Sequence, residues 1–148
     1  MTIFNGKIDI IFCGICGWRT NDIGKYNNKP CPRCENKSPK TIVDAVIEIL
    51  KARNIENLKY EDPAAFHHST GRWLRNRWAL WDTESPLHKE FNAIGIFHAD
   101  DMSGIILETA HRITNGHSPE LSLQVSHYKE YWSKIGCDMK GNILKNED

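Results

Sequence analysis

The chain has 148 residues, with 19 Lys and Arg against 19 Asp and Glu and 40% hydrophobic residues. That is the size and composition of one folded domain, or of a small domain beside a mini-domain, and it excludes a disordered tail and a strongly basic nucleic-acid coat. The longest apolar runs, Ile10–Cys13 and Gly104–Leu107, are too short for a bilayer, and the first residues lack the pattern of a secretory signal, so the reading predicts no membrane partner and a cytoplasmic location.

The first forty residues carry seven basic and three acidic side chains, and the remainder twelve and sixteen, so neutrality is the sum of a mildly basic head and a mildly acidic body. The head reads as β structure and turns: Ile8–Phe12 is a short Ile-rich strand, and Gly14, Gly17, Gly24 and Asn27–Asn28 supply turns. Its chemistry lies in two CxxC units, Cys13–Cys16 and Cys31–Cys34, separated by fourteen residues. Two thiolate pairs presented by tight turns close a tetrahedral shell, the geometry zinc prefers, and a four-sulfur shell leaves no open position for catalysis. A structural Zn2+ would replace the core that so short a segment cannot build. Disulfides need an oxidising compartment, a redox CxxC needs a thioredoxin-like βα setting, and iron is the alternative metal for four thiolates. The pattern resembles the zinc-ribbon, rubredoxin-like knuckle class over roughly residues 8–36. Cys137 is left over as an ordinary thiol.

Ser38-Pro39 marks the expected boundary, Ser as a cap and Pro in a first turn. The body then reads as helical. Thr41 to Arg53 sets Ile42, Val46 and Ile49 on one side with Val43, Ile47 and Leu50 adjacent, and Thr41 with Asp44 makes a variant capping box. A second helix is expected over Pro63–Trp81, a third over Pro86–Ile94 ending at Gly95, and a fourth from Ala99 to Asn115 ending at Gly116. A fifth, Pro119 to Ile135, repeats Leu121, Val125, Tyr128, Trp132 and Ile135 and ends at Gly136, and the last dozen residues read as frayed.

The second helix is the unusual one. As a continuous helix it sets His67, Gly71, Leu74, Trp78 and Trp81 on one stripe, Trp73 and Leu80 on another, and His68, Arg72 and Arg75 on a third with Asn76 at its edge. Such a helix should be largely buried. His68, Arg72, Arg75 and Asn76 could form a cationic slot for phosphate or carboxylate. Alternatively the arginines pair internally with Asp100, Asp101 or Glu108. Asp100 and Asp101 have the same two faces: paired carboxylates suit acid/base or metal chemistry, but acidic residues in a first turn also simply complement the helix dipole. An open pocket where these groups converge would favour a ligand site, and Arg–Asp pairing without a cavity would favour a scaffold. His88, His111, His117 and His127 show no ligand spacing and read as ordinary core or surface histidines.

The pattern from His68 through Trp81, followed by Gly95-Ile-Phe-His-Ala-Asp-Asp-Met-Ser-Gly-Ile-Ile-Leu107, resembles an uncharacterised family of small helical domains from bacteria and phages over about residues 40–117, with Ala99 where the usual form has Pro. The resemblance implies a fold and a setting, and no chemistry. The reading predicts a mainly α protein, a small β zinc ribbon over 1–38 followed by a compact domain of about five helices over 39–148. Its leading function is a non-enzymatic binding or regulatory protein engaging a protein partner, as a phage or mobile-element accessory. The alternatives are a small anionic-ligand protein or hydrolase built on His68, Arg72, Arg75, Asn76, Asp100 and Asp101, and nucleic-acid binding through ribbon residues such as Arg19, Lys25, Lys29 and Arg33.

Overall fold

The computed structural model describes residues 2–5, 8–12, 19–26, 38–51 and 55–144. In the head, β1 (Thr2–Asn5), β2 (Ile8–Phe12) and β3 (Arg19–Thr20) form an antiparallel sheet in that order, followed by one helical turn, α1 (Ile23–Tyr26). Phe12 pairs with Arg19, so β2 and β3 flank residues 13–18. The expected strand Ile8–Phe12 is β2, and β1 is an addition to the sequence reading.

The body is built from helices. Helix α2 (Ile42–Lys51) buries Ile42, Ala45, Val46 and Ile49, the apolar face its spacing predicts, whereas Val43 and Ile47 on the adjacent side stay exposed. Thr41 Oγ1 accepts from the Asp44 N–H at 3.0 Å, so Thr41 caps the helix and Ser38 does not. A distant residue completes the end: Glu90 Oε1 accepts from the Ile42 N–H at 2.9 Å. A short helix that the sequence did not signal, α3 (Ile55–Tyr60), follows and buries Leu58.

The largest departure lies over residues 63–81. Instead of one helix there is a 3₁₀ turn at Pro63–Phe66, a non-helical link at 67–69, and α4 (Thr70–Arg77). Asp62 Oδ1 starts the 3₁₀ turn by accepting from the Ala64 N–H. The link forms because the His67 carbonyl, which a continuous helix would offer to Gly71, accepts instead from the Arg75 guanidinium at 2.9 Å. At the other end the chain leaves the helix through Ala79 in the left-handed region (φ 49°), with the Leu80 N–H bonded to the Arg75 carbonyl at 3.0 Å. That turn buries Leu80 completely and leaves Trp81 half exposed. The expected two-sided burial is therefore corrected: Leu74, Arg75 and Trp78 are buried, while Trp73 and Trp81 are each 49% exposed.

Helix α5 (Pro86–Ala93) is capped by Ser85, whose Oγ accepts from the His88 N–H, and it buries Leu87, His88 and Phe91. His88 Nδ1 lies 2.7 Å from the Leu80 carbonyl, which only accepts, so Nδ1 carries the proton. Helix α6 (Ala99–Thr114) runs through the centre, packing against α2, the 3₁₀ turn, α3, α4 and α5, with Met102, Ile105, Ile106 and Ala110 fully buried. Helix α7 (Leu121–Lys134) lies on α6, with Leu121, Val125 and Tyr128 against the core and Ile135 exposed. Gly95, Gly116 and Gly136 adopt positive φ after α5, α6 and α7, as the sequence places them.

The chain beyond α7 is not frayed up to residue 144. Cys137 bridges to Ile143, and Asp138 Oδ1 accepts from the Lys140 and Asn142 N–H groups, which holds the Asp138 carboxyl below its ordinary range. This turn sets Gly141 against Trp132 and His98. No described helix is long and apolar enough to cross a membrane.

Candidate functional site

The polar residues singled out by the sequence gather at the N-terminal end of α6. His98 precedes the helix and caps it, its Nδ1 accepting from the Asp100 N–H at 3.1 Å, so this histidine stands as the Nε2–H tautomer in that arrangement. Its ring lies between Trp81, met edge-on at 5.4 Å, and Trp132, at 5.5 Å.

Arg75 reaches this end from α4. Its Nε lies 3.3 Å from Asp100 Oδ1, Nη1 donates to Ser103 Oγ at 2.8 Å, and Nη2 donates to the His67 carbonyl. Ser103 Oγ in turn donates to the Asp100 carbonyl at 2.9 Å, so its hydroxyl proton is engaged. The guanidinium side chain is 7% exposed and ties the link at 67–69 to α6. Gly71 makes this possible: a Cβ there would press on Arg75 Nη1 and the Phe66 carbonyl, and would touch Leu107 of α6. Burial and the adjacent Arg75 hold His67 below its ordinary value, which keeps it neutral.

Asp101 faces the other way, toward α7. It is 4% exposed, its Oδ2 accepts from Trp132 Nε1 at 2.8 Å, and burial pushes its carboxyl above the ordinary range. Tyr128 lies over Gly104 on the same interface, and burial pushes its hydroxyl up to about 12.

Between the 3₁₀ turn, α6 and α7 opens a cleft of about 830 Å3. His68, Asp100 and Asp101 line it, together with His67, Ser103, Tyr128 and Trp132. Arg72 and Asn76 do not; both are exposed elsewhere on α4. The cationic slot of the sequence reading is thus divided: Arg75 turns inward to pair with Asp100, His68 lines the cleft with the acidic pair, and Arg72 and Asn76 turn outward. Pairing and cavity, posed as alternatives, coexist: Asp100 pairs with Arg75 and also lines the open cleft.

Trp132, Tyr128, His67 and Ser103 were not singled out as site residues. The Tyr128–Trp132 repeat and the Ser103-Gly104 pair, small residues inside a helix, were the signals available for them. The remaining histidines are as expected: His88 and His111 donate to carbonyls, of Leu80 and Leu58, and His117 and His127 are exposed. Among the described residues no group of three or more His, Cys, Asp or Glu side chains is placed to hold a metal ion. Cys13, Cys16, Cys31 and Cys34 lie outside the described residues, as do Lys29 and Arg33; Arg19 and Lys25 of the head are exposed.

A family model described as a domain of unknown function, DUF6794, matches residues 38–113, from the start of the body to the last turn of α6. No curated protein and no solved structure matches the chain.

Proposed function

The chain belongs to the DUF6794 family, and from that premise we propose that it is a non-enzymatic binding protein whose helical body engages a protein partner through the outer face of α4. The observation that carries this is the division of that helix. Leu74 and Arg75 are committed to the interior, while Arg72, Trp73 and Asn76 face outward and Arg77 lies over the Trp73 ring at 5.4 Å. A half-exposed Trp stacked with Arg is the composition of protein-interface anchors. The groups a hydrolase or anion site would need are engaged differently, because Arg75 already neutralises Asp100 and Ser103 donates to a backbone carbonyl.

The head is proposed as a structural Zn2+ ribbon, with Cys13, Cys16, Cys31 and Cys34 as the four thiolate ligands. Support comes from the antiparallel pair β2–β3, which brackets the first CxxC as a knuckle requires. The cytoplasm of a bacterial or phage-infected cell is the setting that the sequence resemblance suggests.

Two measurements test the reading. Metal analysis of reduced protein should give one zinc per chain, lost in Cys31→Ser together with the head's structure but not the helical signal. For the partner, affinity capture followed by reconstitution from purified components should give a complex that Trp73→Ala with Arg72→Glu abolishes while the thermal midpoint holds. Equal binding by that variant rejects α4 as the interface. Salt-sensitive DNA or RNA binding lost on reversing Arg19 and Lys25 would favour nucleic acid instead.

A further inference from the structure

We propose that the cleft between the 3₁₀ turn, α6 and α7 binds a protonated alkylamine, with Asp101 as its counter-ion. This does not rest on the α4 surface, and the two stand or fall separately. The volume, about 830 Å3, suits a small molecule.

The charges in the wall decide the ligand's sign. Four carboxylates line the cleft: Asp62, Asp100, Asp101 and Glu108. Asp100 is paired with Arg75 at 3.3 Å and Glu108 with Arg112 at 2.9 Å. Asp62 is at the surface and accepts from a backbone N–H. Asp101 is the most buried of the four, and among the described residues no cation pairs with it; one neutral indole N–H is its side-chain donor. His98 acts on it through space, favouring the charged carboxylate, but no hydrogen bond joins the two among the described residues. A buried carboxylate with so little compensation is costly as an anion, and a ligand cation is what would restore it.

Two further features agree on a donor. Tyr131 and Trp132, met edge-on at 5.3 Å, line the same cleft and offer ring surface to an ammonium group. Gln124, also in the lining and 6% exposed, donates through Nε2 to Thr109 Oγ1 and the Pro119 carbonyl, which leaves its buried Oε1 without a donor among the described residues. Asp101 and Gln124 thus offer acceptors to a ligand, beside the donors His68, His127 and Tyr128 in the same lining.

The amine could be free or a lysine side chain, and the probes separate these. The full-length protein, isotope-labelled, is titrated with putrescine and with a capped Gly-Lys-Gly peptide, using butanediol and succinate as neutral and anionic controls. The Trp132 indole resonance, assigned through Trp132→Phe, should shift saturably with putrescine or the peptide, and the tighter probe identifies the source. Neither control should move it. Asp101→Asn keeps an acceptor for the indole and should weaken binding by about tenfold or more. Tyr131→Ala, at a half-exposed position where folding is secure, should also weaken it. No shift with either amine at about 10 mM, an equal response to butanediol, or unchanged affinity in Asp101→Asn would overturn the proposal.

Discussion

From Ile105 to Ala110, α6 buries Ile105, Ile106, Leu107 and Ala110 against α2, α4 and α5; from Ala99 to Gly104 the same helix carries Asp100, Asp101 and Ser103 into a polar network with Arg75 and Trp132. The C-terminal half is held by shape. Its free energy comes from apolar area removed from water and from close packing, neither of which depends on direction or pH. The N-terminal half, beside its buried Ala99 and Met102, is held also by pairing, where each group is expensive to bury unless its partner is present. The two halves should therefore respond to different kinds of substitution.

The largest loss is expected in the apolar half. Ile106→Ala removes methyl groups from a fully buried position and should cost about 4 kcal/mol, while Ile106→Val should cost only about 1 kcal/mol. In the polar half, Arg75→Ala leaves the His67 carbonyl and Ser103 Oγ without their donor and Asp100 without its cation. It should cost about 3 kcal/mol, less than a fully enclosed ion pair because the Asp100 side chain is 40% exposed. Arg75→Lys should recover little, since an ammonium group cannot reproduce the three-way fork. Arg72→Ala should change stability by less than about 0.5 kcal/mol. Thermal melts of the five variants check the pattern; an equal drop for Arg72→Ala would return the internal role to that residue, and full recovery by lysine would show that charge alone holds the network.

The next effect depends on pH. A carboxyl whose folded-state value lies above its ordinary 3.8 keeps its proton longer when folded than when unfolded. Its contribution to stability thus falls as pH climbs from that ordinary value through the folded one, and stays at its lowest above it. Asp101→Asn has no such titration. The difference in midpoint between Asp101→Asn and the parent should shift in the variant's favour as pH rises out of the acid range, then level off. Ile106→Ala, measured the same way, should show a constant difference. A gap for Asp101→Asn that moves in the opposite direction would mean that the carboxylate is better compensated than Trp132 alone allows.

The same contrast explains what the sequence revealed. Helix α2 was legible because its apolar spacing, its Thr41 cap and its burial all repeat one local pattern. So were the ends of α5, α6 and α7, where Gly95, Gly116 and Gly136 stop the chain by backbone conformation alone. Residues 63–81 were not, because the helix is broken by the Arg75 guanidinium taking the His67 carbonyl and is ended by Ala79, a residue type that gives no stop signal. Those events are decided by Ser103, Asp100 and Leu80's place in the core. Asp100 and Asp101 were visible as a pair, yet their opposite partners, Arg75 and Trp132, follow from which side of α6 each neighbouring helix covers. The ordered turn at 137–144 was missed for a similar reason: it is held by the Asp138 side chain and by packing on Trp132, against a composition that reads as a loose tail.

The smallest expected effect lies where the two halves of α6 meet. Gly104 sits in mid-helix, where Ala would ordinarily stabilise by about 1 kcal/mol. Here a Cβ would overlap the Tyr128 hydroxyl, while the Tyr128 ring carbon behind it would lie at an ordinary 3.4 Å. The overlap should outweigh the gain in helix propensity, so Gly104→Ala should lose about 1 kcal/mol as Tyr128 is displaced from α6. Tyr128→Phe removes only the overlapping atom and should by itself change stability by less than about 0.5 kcal/mol. In that background the sign should reverse, with Gly104→Ala now stabilising by about 0.5–1 kcal/mol, because the helix gains a better residue and nothing obstructs it. A double-mutant cycle on thermal or denaturant unfolding measures the coupling directly. Additive effects would mean that Tyr128 moves aside freely and that α7 is not seated on Gly104. A coupling above about 1 kcal/mol would fix the α6–α7 contact that forms one wall of the cleft, and would show that small-residue packing, like the apolar core and unlike the Arg75 network, is set by shape.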